Sequence, residues 1–114
     1  MKPNQLFKTE ASHKFPTARV ADGLILADPC YLVPSRDWAG WLDAFYAAGG
    51  KNAERNEMIL MEFKGVQFQA WSTGGDGVID GVAVDSGTLC TASKDEAVRA
   101  FGIKLIPFEM ASAI

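Results

Sequence analysis

Residues with the means to do chemistry gather in three short words of the sequence. The first, Ala27-Asp28-Pro29-Cys30-Tyr31, sets a carboxylate, a thiol and a phenol side by side. A cysteine attacks only as thiolate, which needs a neighbouring base or a positive field. The sole histidine, His13, stands well before it near the N-terminus, and no spacing ties it to Cys30. The plainer role for this word is a rigid turn. Asp28 would accept nearby N–H groups, Pro29 would stiffen the backbone, and Cys30 and Tyr31 would pack inward.

The second word is Gly74-Gly75-Asp76-Gly77. Glycines let backbone N–H groups approach an anion, as phosphate-binding loops require. This word lacks the Lys-Ser/Thr of a nucleotide-binding P-loop, however, and a strand rather than a helix follows it. A tight inter-strand turn is the simpler expectation. The third word, Val84-Asp85-Ser86-Gly87, adds another carboxylate. Asp28, Asp76, Asp80 and Asp85 do not follow the spacing of a calcium loop, and each of the last three lies beside or within two residues of a glycine, as turn residues do. No metal and no cofactor is expected.

Positioning these words requires a scaffold, and its elements can be read from periodicity. Residues 18–27 have strand character broken at Asp22-Gly23 by either a hairpin turn or a bulge, and the strand stops at Asp28-Pro29. Trp38, Trp41, Leu42 and Phe45 fall on one stripe of a 3.6-residue period. Ser35 precedes that stripe and Gly49-Gly50 closes it, which predicts a helix over 36–48 with Ser35 as its cap. Residues 58–63 and 66–72 flank Lys64-Gly65 as a β-hairpin. Within the second arm Val66, Phe68 and Ala70 alternate with Gln67, Gln69 and Trp71. Trp71 therefore stands on the polar side of its strand, either exposed as a binding anchor or covered by a second layer.

Strand character resumes over 78–84, interrupted at Asp80-Gly81, and again over 88–91. Ser93-Lys94-Asp95-Glu96 is a capping box that opens a helix through Phe101, with Gly102 as its stop. Residues 103–110 read as a last strand, placed at a sheet edge by Pro107. The first fifteen or so residues lack periodicity, although Phe7 and Phe15 could anchor them. The expectation is one α+β domain over 1–114, with 1–17 loosely ordered. Its body is a mainly antiparallel, twisted sheet or partial barrel of five to seven strands with two helices. The expected core includes Trp38, Trp41, Leu42, Phe45, Phe68, Leu89 and Phe101. Val20…Gly23 and Val84…Gly87 share a Val-x-x-Gly pattern ahead of a strand, too thin a match to establish duplication.

Composition removes several function classes. The 114 residues are 48% hydrophobic and 22% charged, which is ordinary for a globular domain of this size. Fourteen acidic against eleven basic side chains leave a net charge of −3, with no basic stripe for nucleic acid. Two cysteines, Cys30 and Cys90, are too few for a disulfide framework and lack the spacing of a zinc site. No apolar run approaches the ~20 residues of a membrane span, and the first twenty residues lack a signal-peptide core. A cytoplasmic protein is expected.

Taken together, Asp28-Pro29-Cys30-Tyr31, a tryptophan-bearing helix, Gly75-Asp76-Gly77 and Val84-Asp85-Ser86-Gly87 resemble a family of small, largely uncharacterised phage and bacterial proteins. The likeness spans about residues 18–92. That family usually carries an aromatic or proline run after Gly-Asp-Gly, where this chain has Val78-Ile79-Asp80, a departure that weakens what the resemblance implies for Asp76. The resemblance implies a small β-rich accessory protein of phage origin. By context it implies action on a host defence component or on a signalling ligand.

The functional expectation is a non-enzymatic binding protein, because no residues here assemble a nucleophile, a base and an electrostatic stabiliser. Its partner would be a host protein, met through complementary charge, or a small nucleotide-like ligand. A homodimer is compatible with this reading. The binding residues are expected to be Asp28, Tyr31, Trp71, Gly75, Asp76, Gly77 and Asp85, at a rim where two loops meet. The alternative is a small hydrolase or transferase in which Asp28, Cys30, Asp76 and Asp85 converge.

Overall fold

The computed structural model describes residues 5–9 and 13–108. Among these described residues, nine strands and two α-helices follow one another. They are β1 (Gln5–Lys8), β2 (Ala18–Ala21), β3 (Leu24–Ala27), α1 (Trp38–Ala47), β4 (Ile59–Phe63), β5 (Val66–Ser72), β6 (Gly77–Ile79), β7 (Val82–Val84), β8 (Thr88–Ser93), α2 (Lys94–Phe101) and β9 (Ile106–Pro107). Seven of the strands form an antiparallel sheet in the order β4-β5-β8-β3-β2-β1-β9, and β6 and β7 form a separate hairpin. The fold is α+β, and the large sheet stays open rather than closing into a barrel. Among the described residues no helix is long and apolar enough to cross a membrane.

Three hairpins form where the turn residues demand them. Asp22-Gly23, Lys64-Gly65 and Asp80-Gly81 all hold positive φ at both central positions. That is the type I′ geometry, whose twist matches the strands it joins. The β4–β5 arms then pair Phe63 with Val66 and Ile59 with Ala70. Alternation along β5 sends Val66, Phe68 and Ala70 into the core and leaves Gln67 and Gln69 exposed.

Both helices lie on the same face of the large sheet. Trp41 is fully buried there, stacked on Phe45 and edge-on to Phe68, while Phe101 of α2 packs against Phe68 and Phe63. Trp38 and Leu42 flank this core and are only partly buried. Ser93 caps α2 by accepting the Glu96 N–H at 3.3 Å, and Gly102 ends the helix in the left-handed region.

The helix expected over 36–48 begins later. Residues Ser35–Asp37 form a 3₁₀ turn whose N-cap is Pro34 rather than Ser35. Pro34 starts that tighter turn by presenting its carbonyl to the Asp37 N–H at 2.8 Å. Asp37 therefore occupies the N-cap of α1, but its carboxylate turns to Lys64 Nζ, 2.8 Å away, tying the β4–β5 turn to the start of the helix. At the other end Phe45 lies flat against Gly50, where an added Cβ would come within 2.5 Å of the ring.

Part of the segment without periodicity belongs to the sheet. Gln5–Lys8 form β1, paired on one side with β2 and on the other with β9, so Pro107 does sit on an edge strand. The last strand covers Ile106–Pro107, shorter than the expected 103–110, whose final two positions lie outside the described residues. On the sheet face away from the helices the β6–β7 hairpin builds a second small core. Val82, Val84 and Leu89 are its buried centre, with Leu26, Ile79 and Trp71 packed around them. The Arg19 guanidinium bonds the Asp80 carbonyl at 2.8 Å, and the Ala83 N–H bonds the Pro16 carbonyl at 2.8 Å, fastening the hairpin in place.

Candidate functional site

Asp28 follows the last residue of β3 and is fully buried. Its Oδ1 accepts the Cys30 N–H at 2.9 Å, the local turn bond that an aspartate before a proline is suited to make. The remaining capacity of the carboxylate goes to a distant loop. Oδ2 accepts the N–H groups of Asp85 (2.8 Å) and Ser86 (2.7 Å), and Oδ1 also accepts the Ser86 hydroxyl (2.6 Å). With four donors aimed at it, the buried charge is compensated as burial requires.

Around this knot a second set of contacts reaches outward. The Tyr31 hydroxyl donates to Asp85 Oδ2, and His13 Nε2 lies 3.5 Å from the same oxygen. The Phe15 N–H donates to His13 Nδ1 at 3.2 Å, so in the neutral ring Nε2 carries the proton and faces Asp85. His13 also stands edge-on to the Tyr31 ring at 5.3 Å. Burial, then the hydrogen bond to Asp85 and the surrounding negative groups, push the Tyr31 phenol well above its ordinary range. Both imidazole nitrogens are thus engaged within the protein, which suits positioning more than proton transfer.

The two cysteines differ in setting. Cys90 is fully buried on β8, donates its thiol to the Ala27 carbonyl at 3.4 Å, and is held as a thiol because burial raises its pKa well above the usual value. Cys30 is partly exposed and lines a small cavity of about 220 Å³ with Val33, Ser35 and Trp38. Among the described residues no cluster of His, Cys, Asp and Glu is placed to hold a metal ion.

The loop after β5 joins the same region. The Thr73 N–H bonds the Gly87 carbonyl at 2.9 Å, so the residues on either side of Thr73 lie beside the 85–87 loop. Between these loops and α1 runs a groove of about 520 Å³. One wall is Trp38, Leu42, Phe45 and Tyr46; the other comes from Ser72, Gly74, Gly75, Ser86, Gly87 and Thr88.

The structure gathers some of the expected residues and separates others. Asp28, Tyr31 and Asp85 meet in the knot, and Gly75 lines the groove beside it. Asp76 and Gly77 are exposed further along the loop, and Gly77 opens β6. Trp71 lies on the opposite face of the sheet, within the second core under the β6–β7 hairpin. His13, Ser86 and the groove face of α1 were not among the expected site residues. The α1 residues did carry a signal: Trp38, Leu42, Phe45 and Tyr46 make the apolar stripe wider than Trp41 and Phe45 need to reach the core. His13 and Ser86 carried none, because long-range pairing alone gives them roles.

Comparison with known proteins finds no matching family model, curated protein or solved structure.

Proposed function

We propose that this is a non-enzymatic binding protein that holds a small ligand in the groove between α1 and the two loops. One observation carries the reading: the buried Asp28 carboxylate accepts four hydrogen bonds, so it serves as the rivet of a preformed rim. A carboxylate so occupied is poorly placed to act as a base, and the His13 ring is committed on both sides. A concave site with one apolar wall and one wall of backbone and hydroxyl groups matches the general character of ligand pockets.

Of the roles implied by the phage-family resemblance, ligand sequestration fits a groove better than inhibition through a flat protein surface. A cytoplasmic setting belongs to the same proposal. The hydrolase or transferase alternative gains proximity between Asp28 and Asp85, yet both carboxylates are engaged in holding the knot.

Chemical-shift mapping of the labelled protein with a set of small aromatic and polar fragments tests the proposal. The expected result is a cluster of shifted amides around Trp38, Tyr46, Gly75 and Gly87. Shifts scattered over the surface, or hydrolysis of a phosphate ester that Asp85→Asn abolishes, would overturn it.

A further inference from the structure

Resting on the groove reading, we infer that the ligand class is a purine nucleotide, whose flat ring lies against Trp38 and whose phosphate meets Arg55. The ring half of this inference comes from the shape of the walls. The Trp38 indole is stacked on Trp41 at 5.6 Å between centroids and 2° between planes, and Trp41 in turn stacks on Phe45. One face of Trp38 is therefore covered by the core, and among the described residues no other ring lies against it. Trp38 lines the groove, so a planar heteroaromatic ring held there continues the column in the offset geometry that aromatic pairs favour.

The facing wall suits the edge of such a ring. Gly74, Gly75 and Gly87 bring backbone close to the groove, and Ser72, Ser86 and Thr88 lie among them. The Ser86 N–H and hydroxyl go to Asp28 and the Gly87 carbonyl to Thr73, which leaves the Ser72 and Thr88 hydroxyls and the Gly74 backbone to meet the donors and acceptors of a base edge. At Gly75 an added Cβ would meet nothing within 4 Å, so open space adjoins the wall there.

The anion half comes from charge. The Arg55 side chain runs across Gly74, where an added Cβ would stand 2.9 Å from its Cδ and 3.0 Å from its Nε. Gly74 lines the groove, so the Arg55 side chain passes beside its rim. Arg55 is exposed and makes no ion pair among the described residues. A planar fork of donors without an acid partner fits a phosphate. The glycine loop alone would not single out an anion; Arg55 beside it does.

The test titrates the intact protein with adenosine and with adenosine monophosphate, following amide shifts and tryptophan fluorescence. Both ligands are expected to shift Trp38, Gly75 and Gly87, with the monophosphate binding about tenfold or more tighter, as a charge-assisted contact would give. Arg55→Gln should erase that advantage and leave adenosine binding unchanged. Gly75→Val, which the open space should let fold with unaltered melting, should weaken both. Equal affinity for the two ligands, or a monophosphate advantage that survives Arg55→Gln, overturns the inference. Fragments that fill the groove while neither purine does so also overturn it, and they leave the groove reading standing. Absence of any groove-centred shift with fragments and purines alike removes both.

Discussion

Asp28 and Ser86, 58 positions apart, are joined twice: the Asp28 carboxylate accepts the Ser86 N–H at 2.7 Å and the Ser86 hydroxyl at 2.6 Å. This pair fixes the loop between β7 and β8 to the turn after β3, and the groove inherits its second wall from that attachment. Loss of the carboxylate should therefore be felt in stability first. Asp28→Asn offers one acceptor oxygen where two were used, and turns an N–H₂ toward backbone donors. A cost of about 2–4 kcal/mol is expected, since hydrogen bonds to charged groups are worth roughly 1.5–3 kcal/mol each and buried donors would be left unmet. A urea midpoint equal to that of the unaltered protein would contradict the assignment.

Tyr31 should make alkaline stability pH-dependent. Its phenol is held neutral in the fold, chiefly by burial and then by Asp85, so the folded chain keeps this proton at pH values where the unfolded chain releases it. The folded state then binds more protons than the unfolded one, and stability falls as pH rises above about 10, the ordinary phenol value. Below that pH the contribution is fully present. Melting curves of the parent protein and Tyr31→Phe across the alkaline range should converge as pH rises; curves that stay parallel would show that Tyr31 adds nothing.

Trp71 and Trp38 should separate stability from binding. Trp71 packs with Val82, Val84 and Leu89 under the small hairpin, so Trp71→Ala should cost roughly 2–4 kcal/mol, somewhat below a fully buried large-to-small change, and leave groove binding intact. Trp38→Ala should do the reverse in emphasis, with a larger loss of ligand affinity than of stability, because Trp38 is partly buried and lines the groove. Paired denaturation and binding measurements on the two variants check this; a ligand that ignores Trp38 but needs Trp71 would place the site on the other face.

The cap of α2 gives a calibrated control. Ser93→Ala removes the acceptor for the Glu96 N–H and should lower stability by about 1 kcal/mol, the usual worth of such a cap. Groove binding should be unaffected. An unchanged denaturation midpoint would mean that the 3.3 Å bond contributes nothing in solution.

What the sequence determined by itself is what is decided within a few residues of chain. The three type I′ turns, the strands they join and the capped helix α2 rest on local sterics and on hydrogen bonds between near neighbours. Periodicity likewise separated Phe68 from Gln67 and Trp41 from the exposed side of α1. Asp28 could be read as a local acceptor, and its bond to Cys30 is that role. Its other three bonds depend on where β7 and β8 bring the 85–87 loop, and no local pattern encodes that meeting. The same holds for Trp71, whose strand parity shows which face it occupies but not that β6 and β7 fold over that face. For β1 the deciding partners are β2 and β9, one near in the chain and one about a hundred residues on, so a segment with no periodicity of its own becomes strand through pairing. Tertiary structure decided these points because backbone and carboxylate groups are satisfied by whichever donors the folded path delivers, and that path is a property of the whole sheet.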